Sequence, residues 1–141
     1  MLIIAHRGNM VGPDEDRENK PQNILRLLSD YPDPKLLFEI DVWYFMTKQD
    51  NHWVYYLGHN NPTSFVPEAF LTNPRIICHA KDIKTFQKLL QIQAHCFMHD
   101  KDEAALTSRG WIWKYPEILN QDGTLMGICT DYAKEFLFSL R

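Results

Sequence analysis

Short runs of apolar residues alternate along the chain with amphipathic and polar segments. The apolar runs that are typical of buried strands occupy residues 2–5, 36–45, 76–78, 96–98, 111–113 and 126–130. Apolar stripes with helical spacing, together with one short segment of mixed composition, predict helices at 23–28, 82–90, 102–107 and 133–140. Strands that alternate with helices favour an α/β fold with a mainly parallel sheet.

Local signals refine two parts of this pattern. A turn at 48–51 joins the run at 36–45 to a returning strand at 53–57, which predicts one antiparallel β-hairpin. Asp82 is placed to cap the second helix, whose residues Ile83, Phe86, Leu89 and Leu90 are predicted to face inward.

The length, composition and net charge of the chain change this picture little. The chain has 141 residues, of which 45% are hydrophobic, and this predicts one domain over residues 1–141 with a sizeable core. Its net charge of -3 offers no attraction to nucleic acid or to an anionic membrane. A phosphate-bearing substrate would therefore need local basic groups.

The cysteines indicate a compartment. Cys78, Cys96 and Cys129 are odd in number, far apart in sequence and embedded in apolar runs, which is typical of core thiols in a reducing environment. No stretch reaches the roughly 20 apolar residues that span a bilayer, and no secretory leader is visible. We therefore expect a cytoplasmic protein without a membrane anchor.

Ionisable side chains gather at the carboxyl ends of the predicted strands, where parallel α/β folds build their sites. The groups at or near these ends are His6, Arg7, Glu39, Asp41, His59, His79, Lys81, His99 and Asp131. The remaining histidines, His52 and His95, are interpreted as surface residues.

Glu39 and Asp41 stand two apart on one strand and therefore point to the same face. Two carboxylates on one face repel each other unless a cation lies between them, and hard oxygen ligands suit Mg²⁺ or Ca²⁺. Salt bridges from Lys81 and Arg7 to this pair are an equally good explanation of the spacing. The residues alone leave both open.

Several motifs together resemble the glycerophosphodiester phosphodiesterase family, within the phospholipase C-like phosphodiesterases. They are AHRGN from residue 5, Glu18-Asn19, EIDV from residue 39, GHNNPT from residue 58, HAK at 79–81, WIW at 111–113 and GICTDYAKEF from residue 127. Their order follows that family over most of the chain.

The resemblance implies a metal-assisted phosphodiesterase site at the rim of a (β/α) barrel. The implied acid–base pair is His6 as base and His59 as acid. Arg7 and Lys81 would bind the substrate phosphate, and Glu39, Asp41 and His79 would hold the metal. The supporting residues are Glu18, Trp113 and His99, the last of which could instead pair with Asp100. Gly8 would let the phosphate approach the main chain.

The chain departs from the family in three respects. His79 stands where the family has a third carboxylate, so that Mn²⁺ or Zn²⁺ become alternatives to Mg²⁺ or Ca²⁺. Asn60 replaces an aspartate that follows the second histidine. A full barrel takes about 250 residues, so we expect a reduced and incompletely closed TIM-type barrel of 141 residues. Its uncovered apolar surface could be covered in a homo-oligomer.

The expected substrate is a small glycerophosphodiester-like or sugar phosphodiester, selected by the loops at 60–75 and 114–126. Trp111 and Trp113 share a face, and one of them would pack on a glycerol or sugar unless both belong to the core. Two rival functions remain: a phosphate-binding module without turnover, and a metal-independent lyase that forms a cyclic phosphate.

Overall fold

A computed structural model of the chain describes residues 1–49, 51–99 and 103–139. Four positions used in the predictions lie outside the described residues. These are Asp50 in the turn, Asp100 beside His99, Asp102 at the start of a helix and Leu140 at the end of another.

The described residues form ten strands and four helices. The strands are β1 (Leu2–His6), β2 (Leu36–Met46), β3 (Trp53–Leu57), β4 (Ser64–Val66), β5 (Ile76–Ala80), β6 (Cys96–Phe97), β7 (Ala105–Leu106), β8 (Ile112–Lys114), β9 (Glu117–Leu119) and β10 (Leu125–Thr130). The helices are α1 (Pro21–Asp30), α2 (Glu68–Leu71), α3 (Ile83–Gln91) and α4 (Ala133–Ser139).

The ten strands form one mixed sheet. Its parallel part has the order β10-β1-β2-β5-β6. The antiparallel part has two arms: β3 and β4 continue from the second half of β2, and β9, β8 and β7 continue from β10. Beyond β7, Ser108 exchanges two hydrogen bonds with Cys96 of β6, which brings the far end of the sheet back toward the parallel part.

The predicted (β/α) TIM-type barrel is wrong. The sheet curls into a half-barrel with few helices, and its last third consists of antiparallel strands. The physical reason is the shortness of the segments from β7 to β10. A parallel crossover needs a dozen or more residues, whereas two-residue and five-residue links between β8, β9 and β10 suffice for antiparallel pairing.

The two faces of the sheet bury different side chains. On the convex face, residues such as Phe38 and Ile40 of β2 pack with the helices, where Ile24 of α1 and Leu89 of α3 are fully buried. On the concave face, seven side chains form a second apolar layer: Ile4, Leu37, Ile77, Phe97, Trp113, Ile118 and Cys129. Because β2 is covered on both faces, residues 36–42 are buried without interruption.

Most predicted elements are present with small shifts of their ends. The hairpin of β2 and β3 is antiparallel as expected, and Asp82 caps α3 by accepting a hydrogen bond from the Thr85 amide. Ile83 and Leu90 were predicted to face inward but are exposed, since Thr85 and Leu89 form the buried stripe. The helix predicted at 102–107 is also wrong, because residues 105–106 form the strand β7.

Candidate functional site

The polar end of the concave face brings together the side chains predicted from the strand ends. Along each strand, residues two apart share this face. In four strands a polar side chain therefore stands two positions after a member of the apolar layer, on the same face. Ile4 is followed by His6, Leu37 by Glu39, Ile77 by His79 and Cys129 by Asp131. The strands therefore carry an apolar floor and, one step farther toward their carboxyl ends, a polar rim.

Asp41 is the centre of this rim. Its two oxygens accept hydrogen bonds from Asn19 Nδ2 at 2.9 Å and from the Nδ1 atoms of His79 and His59 at 2.9 and 3.3 Å. Lys81 Nζ and Arg7 Nε lie 3.9 and 3.6 Å away. Burial alone would raise the pKa of Asp41, but the hydrogen bonds from His79 and Asn19 hold it below its usual range. Asp41 is therefore an anion held among donors and cations.

Glu39 contrasts with Asp41, although both are almost completely buried. Its Oε2 atom accepts no hydrogen bond from the described residues, and His6 Nε2 lies 3.6 Å from it. Burial and the neighbouring charge of Asp41 raise the pKa of Glu39 well above its usual range. The backbone of Arg7 donates a hydrogen bond to Glu39, but its Oε2 atom is left without one, and a bound cation would complete the coordination of that oxygen.

His6 is held by a carboxylate that the sequence analysis did not include among the site residues. The Nδ1 atom of His6 lies 3.0 Å from Asp131 Oδ1, which also accepts a hydrogen bond from Asn9 at 2.9 Å. Asp131 follows β10, and β10 pairs with β1, so the partnership depends on a strand alignment across 125 residues. Burial lowers the pKa of His6, although Asp131 opposes that shift. The Nε2 atom of His6 faces Glu39.

His59 and Arg7 contact each other at the opposite side of Asp41. Arg7 adopts a left-handed φ of 56° in the turn after β1, and its guanidinium lies 3.1 Å from His59 Nε2. Glu18 is 3.5 Å from Arg7 and accepts a hydrogen bond from Asn9 at 3.3 Å, so its carboxylate lies beside the guanidinium. Asp41 orients the His59 ring through its Nδ1 atom, whereas the side chain of Asn60 is exposed.

A cleft of about 310 Å³ opens above these groups and has one ionic wall and one aromatic wall. Both His6 and His59 line it, together with Arg7, Glu39, Asp41 and His79. The aromatic wall contains Phe97, His99, Trp113 and Tyr115, and Glu103 also lines the cleft. A cleft of this size suits a small molecule, and its two walls match a charged group joined to an organic part.

The aromatic wall is an array of rings in contact. Trp113 stacks on Phe97 with 4.2 Å between ring centroids, and Phe97 and His99 lie nearly parallel to His79 at 4.9 and 4.6 Å. Tyr115 lies 5.1 Å from the His6 ring. Trp113 thus belongs both to the core and to the cleft, whereas Trp111 packs beside the core against His95. Sequence reasoning missed Tyr115, since its position outside a predicted strand offered no signal.

Three residues can hold a metal ion together. Ligand atoms of Glu39, Asp41 and His79 all lie within 4.8 Å of one another. Two ligands of one tetrahedral zinc ion lie about 3.3–3.6 Å apart, because each bond is ~2.0–2.2 Å long, so side-chain adjustments of about an ångström would bring all three onto an ion. The uncompensated Oε2 of Glu39 is a further reason why these residues fit a cation.

One smaller prediction about an individual residue is wrong. His95 is buried, not on the surface: its Nε2 atom lies 2.8 Å from Thr107 Oγ1, and burial lowers its pKa to about 4. Gly8 is required by the chain turn, and the approach of a phosphate to its main chain stays a prediction. Gly8 has a left-handed φ of 80°, and a Cβ there would point at Ile24 of α1, 3.1 Å from its Cγ1 atom.

Comparisons of this chain with models of protein families, with curated proteins and with solved structures find no match. No helix among residues 1–49, 51–99 and 103–139 has the length and apolar character that crossing a membrane requires.

Proposed function

We propose that this protein is a metal-dependent phosphodiester hydrolase that acts on a small glycerophosphodiester-like or sugar phosphodiester through two histidines. One observation carries the proposal: His6 and His59 line the same cleft as a guanidinium and a three-residue cluster suited to a metal ion. The family resemblance of the HRG, EID and GHN segments supports the same chemistry.

His6 is the general base in this proposal. Asp131 holds its Nδ1 atom, so the second ring nitrogen is left facing the cleft. The carboxylate fixes the tautomer with the proton on Nδ1, and Nε2 then accepts a proton from the attacking hydroxyl. The lowered pKa of His6 agrees with a neutral imidazole at pH 7.

His59 is the general acid. Its Nδ1 atom lies 3.3 Å from the Asp41 carboxylate, which orients the ring. Its Nε2 atom contacts the Arg7 guanidinium, which must move before that nitrogen can give a proton to the leaving alkoxide. A substrate phosphate between Arg7 and His59 supplies the anion that draws the guanidinium away from the ring.

The remaining charges act on the phosphate. Arg7 and Lys81 both lie within 4 Å of Asp41, on the edge of the cluster, and they neutralise phosphate oxygens as charge builds in the transition state. A divalent ion held by Glu39, Asp41 and His79 would supply Lewis-acid polarisation of the phosphate. Trp113 and Tyr115 pack against the alcohol part of the substrate.

One observation favours a second function, the metal-independent lyase. Asn19, His59 and His79 already hydrogen-bond both oxygens of Asp41, and the positive charges of Arg7 and Lys81 stand next to it. An aspartate paired in this way does not need a metal ion. In that mechanism a hydroxyl of the substrate gives its proton to His6 and attacks the phosphorus. The bond from phosphorus to the other alcohol breaks, that alcohol leaves with a proton from His59, and the remaining product is a cyclic phosphate.

The decisive experiment assays the chain with an aryl phosphodiester and with glycerophosphodiesters in the presence of Mg²⁺, Ca²⁺, Mn²⁺ or Zn²⁺ and after chelation. We expect turnover that chelation abolishes and that a divalent ion restores. Activity that survives chelation, with a cyclic product, would establish the lyase instead. Binding of a phosphodiester without turnover under any condition would leave a phosphate-binding module.

The proposal includes a cytoplasmic location and a small-molecule substrate. All three cysteines are buried and unpaired, as is usual in a reducing compartment.

The proposal also includes a homo-oligomer, since Leu125, Tyr132 and Phe136 line an apolar groove that no described residue covers. Light scattering of the purified chain tests this point, and a monomer at all concentrations would remove it.

A further inference from the structure

We infer that the Glu39–Asp41–His79 cluster selects a borderline transition-metal ion, such as Mn²⁺ or Zn²⁺, over Mg²⁺ and Ca²⁺. The inference rests on the proposed metal site and specifies the class of ion that this site binds. Its basis is the donor set: two carboxylates and one imidazole whose ligand atoms lie within 4.8 Å of one another.

The nitrogen donor of the cluster is held rigidly. The Nδ1 atom of His79 lies 2.9 Å from Asp41, and the ring is nearly parallel to Phe97 and His99, with interplanar angles of 2° and 5°. These contacts restrict rotation of the imidazole, so it cannot turn away in favour of water when an ion arrives. A preorganised imidazole raises the affinity for ions that accept nitrogen ligands.

Hard cations find too few oxygen ligands here. Calcium takes six to eight oxygens, and magnesium prefers carboxylates, phosphates and waters in a strict octahedron. Arg7 and Lys81 also place positive charges 3.6 and 3.9 Å from Asp41, and these charges repel a metal ion. The positive charges of Arg7 and Lys81 lower the affinity of the cluster for every metal ion. The imidazole nitrogen of His79 therefore contributes a larger share of the free energy of metal binding.

Glu39 gives an independent sign that a ligand belongs at this place. Its side chain is only 3% exposed, and its Oε2 atom accepts no hydrogen bond from the part of the chain that the structure describes. An unsatisfied buried carboxylate oxygen is costly unless a cation completes its coordination. The cluster thus offers a ready oxygen ligand next to the fixed nitrogen.

The test measures metal binding to the full chain without reference to activity. After chelation and dialysis, isothermal titration with Mn²⁺, Zn²⁺, Mg²⁺ and Ca²⁺ gives the affinity and stoichiometry of each ion. We expect one site that binds Mn²⁺ and Zn²⁺ at least about tenfold more tightly than Mg²⁺ and Ca²⁺. In His79→Glu, this ratio should fall about tenfold or more while the affinity for Mg²⁺ and Ca²⁺ rises.

Two controls keep the result decisive. His99→Phe keeps a ring parallel to His79 but removes a nearby nitrogen, and it should leave the preference for Mn²⁺ and Zn²⁺ unchanged. His52→Ala, at an exposed position, measures how much zinc binds adventitiously to a surface histidine. If His79→Glu does not fold, nitrogen NMR of the wild-type imidazoles provides the readout, because zinc should shift a ring nitrogen of His79 selectively.

The outcomes separate this inference from the proposed function. Equal affinity for Mg²⁺ and Zn²⁺, or an unchanged ratio in His79→Glu, overturns the selectivity and leaves the phosphodiesterase proposal intact. Selective binding without any phosphodiester turnover upholds the selectivity and overturns the enzyme. If the protein binds none of the four ions, both the metal-dependent mechanism of the proposed function and the metal selectivity inferred here are excluded.

Discussion

The parallel part of the sheet and its antiparallel extension from β7 to β9 differ in what they give to the cleft. The parallel strands carry the ionic wall. His6 and His79 lie at or next to the carboxyl ends of β1 and β5, and they pair with Glu39 and Asp41 in the middle of β2. The extension carries no metal ligand or acid–base residue of the site and instead contributes Trp113 and the adjacent Tyr115. The position of the ionic side chains thus depends on strand direction, whereas the aromatic side chains only have to line the same cleft.

The two parts also differ in how their convex side is covered. Helices α2 and α3 pack against β5, and α4 packs against β1, but no described helix packs on β8 or β9. Leu106 of β7 and Leu125, at the start of β10 opposite the end of β9, are more than half exposed. The extension is therefore held mainly by its pairing with β10 and by its inner side chains, and this reliance can be tested directly.

The largest expected effect concerns Trp113, the inner side chain that joins the extension to β6. It is 3% exposed and stacks on Phe97. Trp113→Ala should lower the free energy of unfolding by about 3–5 kcal/mol, because it leaves a large cavity in the concave layer. Urea unfolding followed by circular dichroism measures this value. Leu125→Ala is the matched control at an exposed position, and its free energy of unfolding should change by no more than about 0.5 kcal/mol. Similar losses in the two variants would show that Trp113 does not join the extension to the parallel part through a common core.

A second test separates the ionic wall from the aromatic one. His6→Ala and His59→Ala should each reduce kcat by about 10²-fold or more, because each removes a proton-transfer group, while the fold is retained. Steady-state assays with an aryl phosphodiester provide the rates, and the exposed turn residue His52 provides a control variant, His52→Ala. A normal rate in His59→Ala would remove its assignment as the acid.

A smaller kinetic effect is expected from Asp131, which acts through His6. Asp131→Asn keeps a polar partner near His6 Nδ1 but removes the negative charge, so kcat should fall by about 10- to 100-fold, less than in His6→Ala. The acidic limb of the pH–rate profile should move to lower pH, since an imidazole without a carboxylate partner protonates less readily. If the profile does not move, Asp131 has only a structural role.

The smallest effect is a pH dependence at the junction of the two parts. His95 precedes β6, contacts Thr107 beyond β7 and lies edge-on to Trp111 at 4.5 Å. Burial lowers its pKa from 6.5 to about 4 in the folded protein, so its contribution to stability is complete above about pH 6.5 and is lost as the pH falls toward 4. We expect about 1–3 kcal/mol of lost stability across this window.

Urea unfolding at pH 7, 5.5 and 4 measures this loss, and the comparison with His95→Phe isolates it. The phenyl ring retains the packing on Trp111 but cannot be protonated, so the dependence on pH should become shallower. An unchanged slope in the variant would show that carboxylates elsewhere account for the acid sensitivity.

Much of the candidate site followed from strand ends alone. Alternation along a strand placed Glu39 and Asp41 on one face, and the carboxyl ends of parallel strands placed His6 and His79 near them. His95 was misjudged because it lies in the link between α3 and β6, a position that is usually exposed, although its neighbours in space are Thr107 and Trp111. Local pattern predicts which way a residue points on its own strand, but it does not predict what another segment places against it.

The amino-acid sequence by itself determined β1, β2, β3, β5, β6, β8 and β10, the hairpin, the cap of α3 and the gathering of ionisable groups at one edge, because these depend on periodicity and on neighbours a few residues apart. It did not predict β4, β7 or β9. Only the tertiary structure decided that the chain forms a half-barrel instead of an eight-fold barrel, that Asp131 holds His6, and that Asp41 meets both His59 and His79. These contacts join segments 18 to 125 residues apart, and the free energy that selects them comes from packing the whole sheet, which no short stretch encodes.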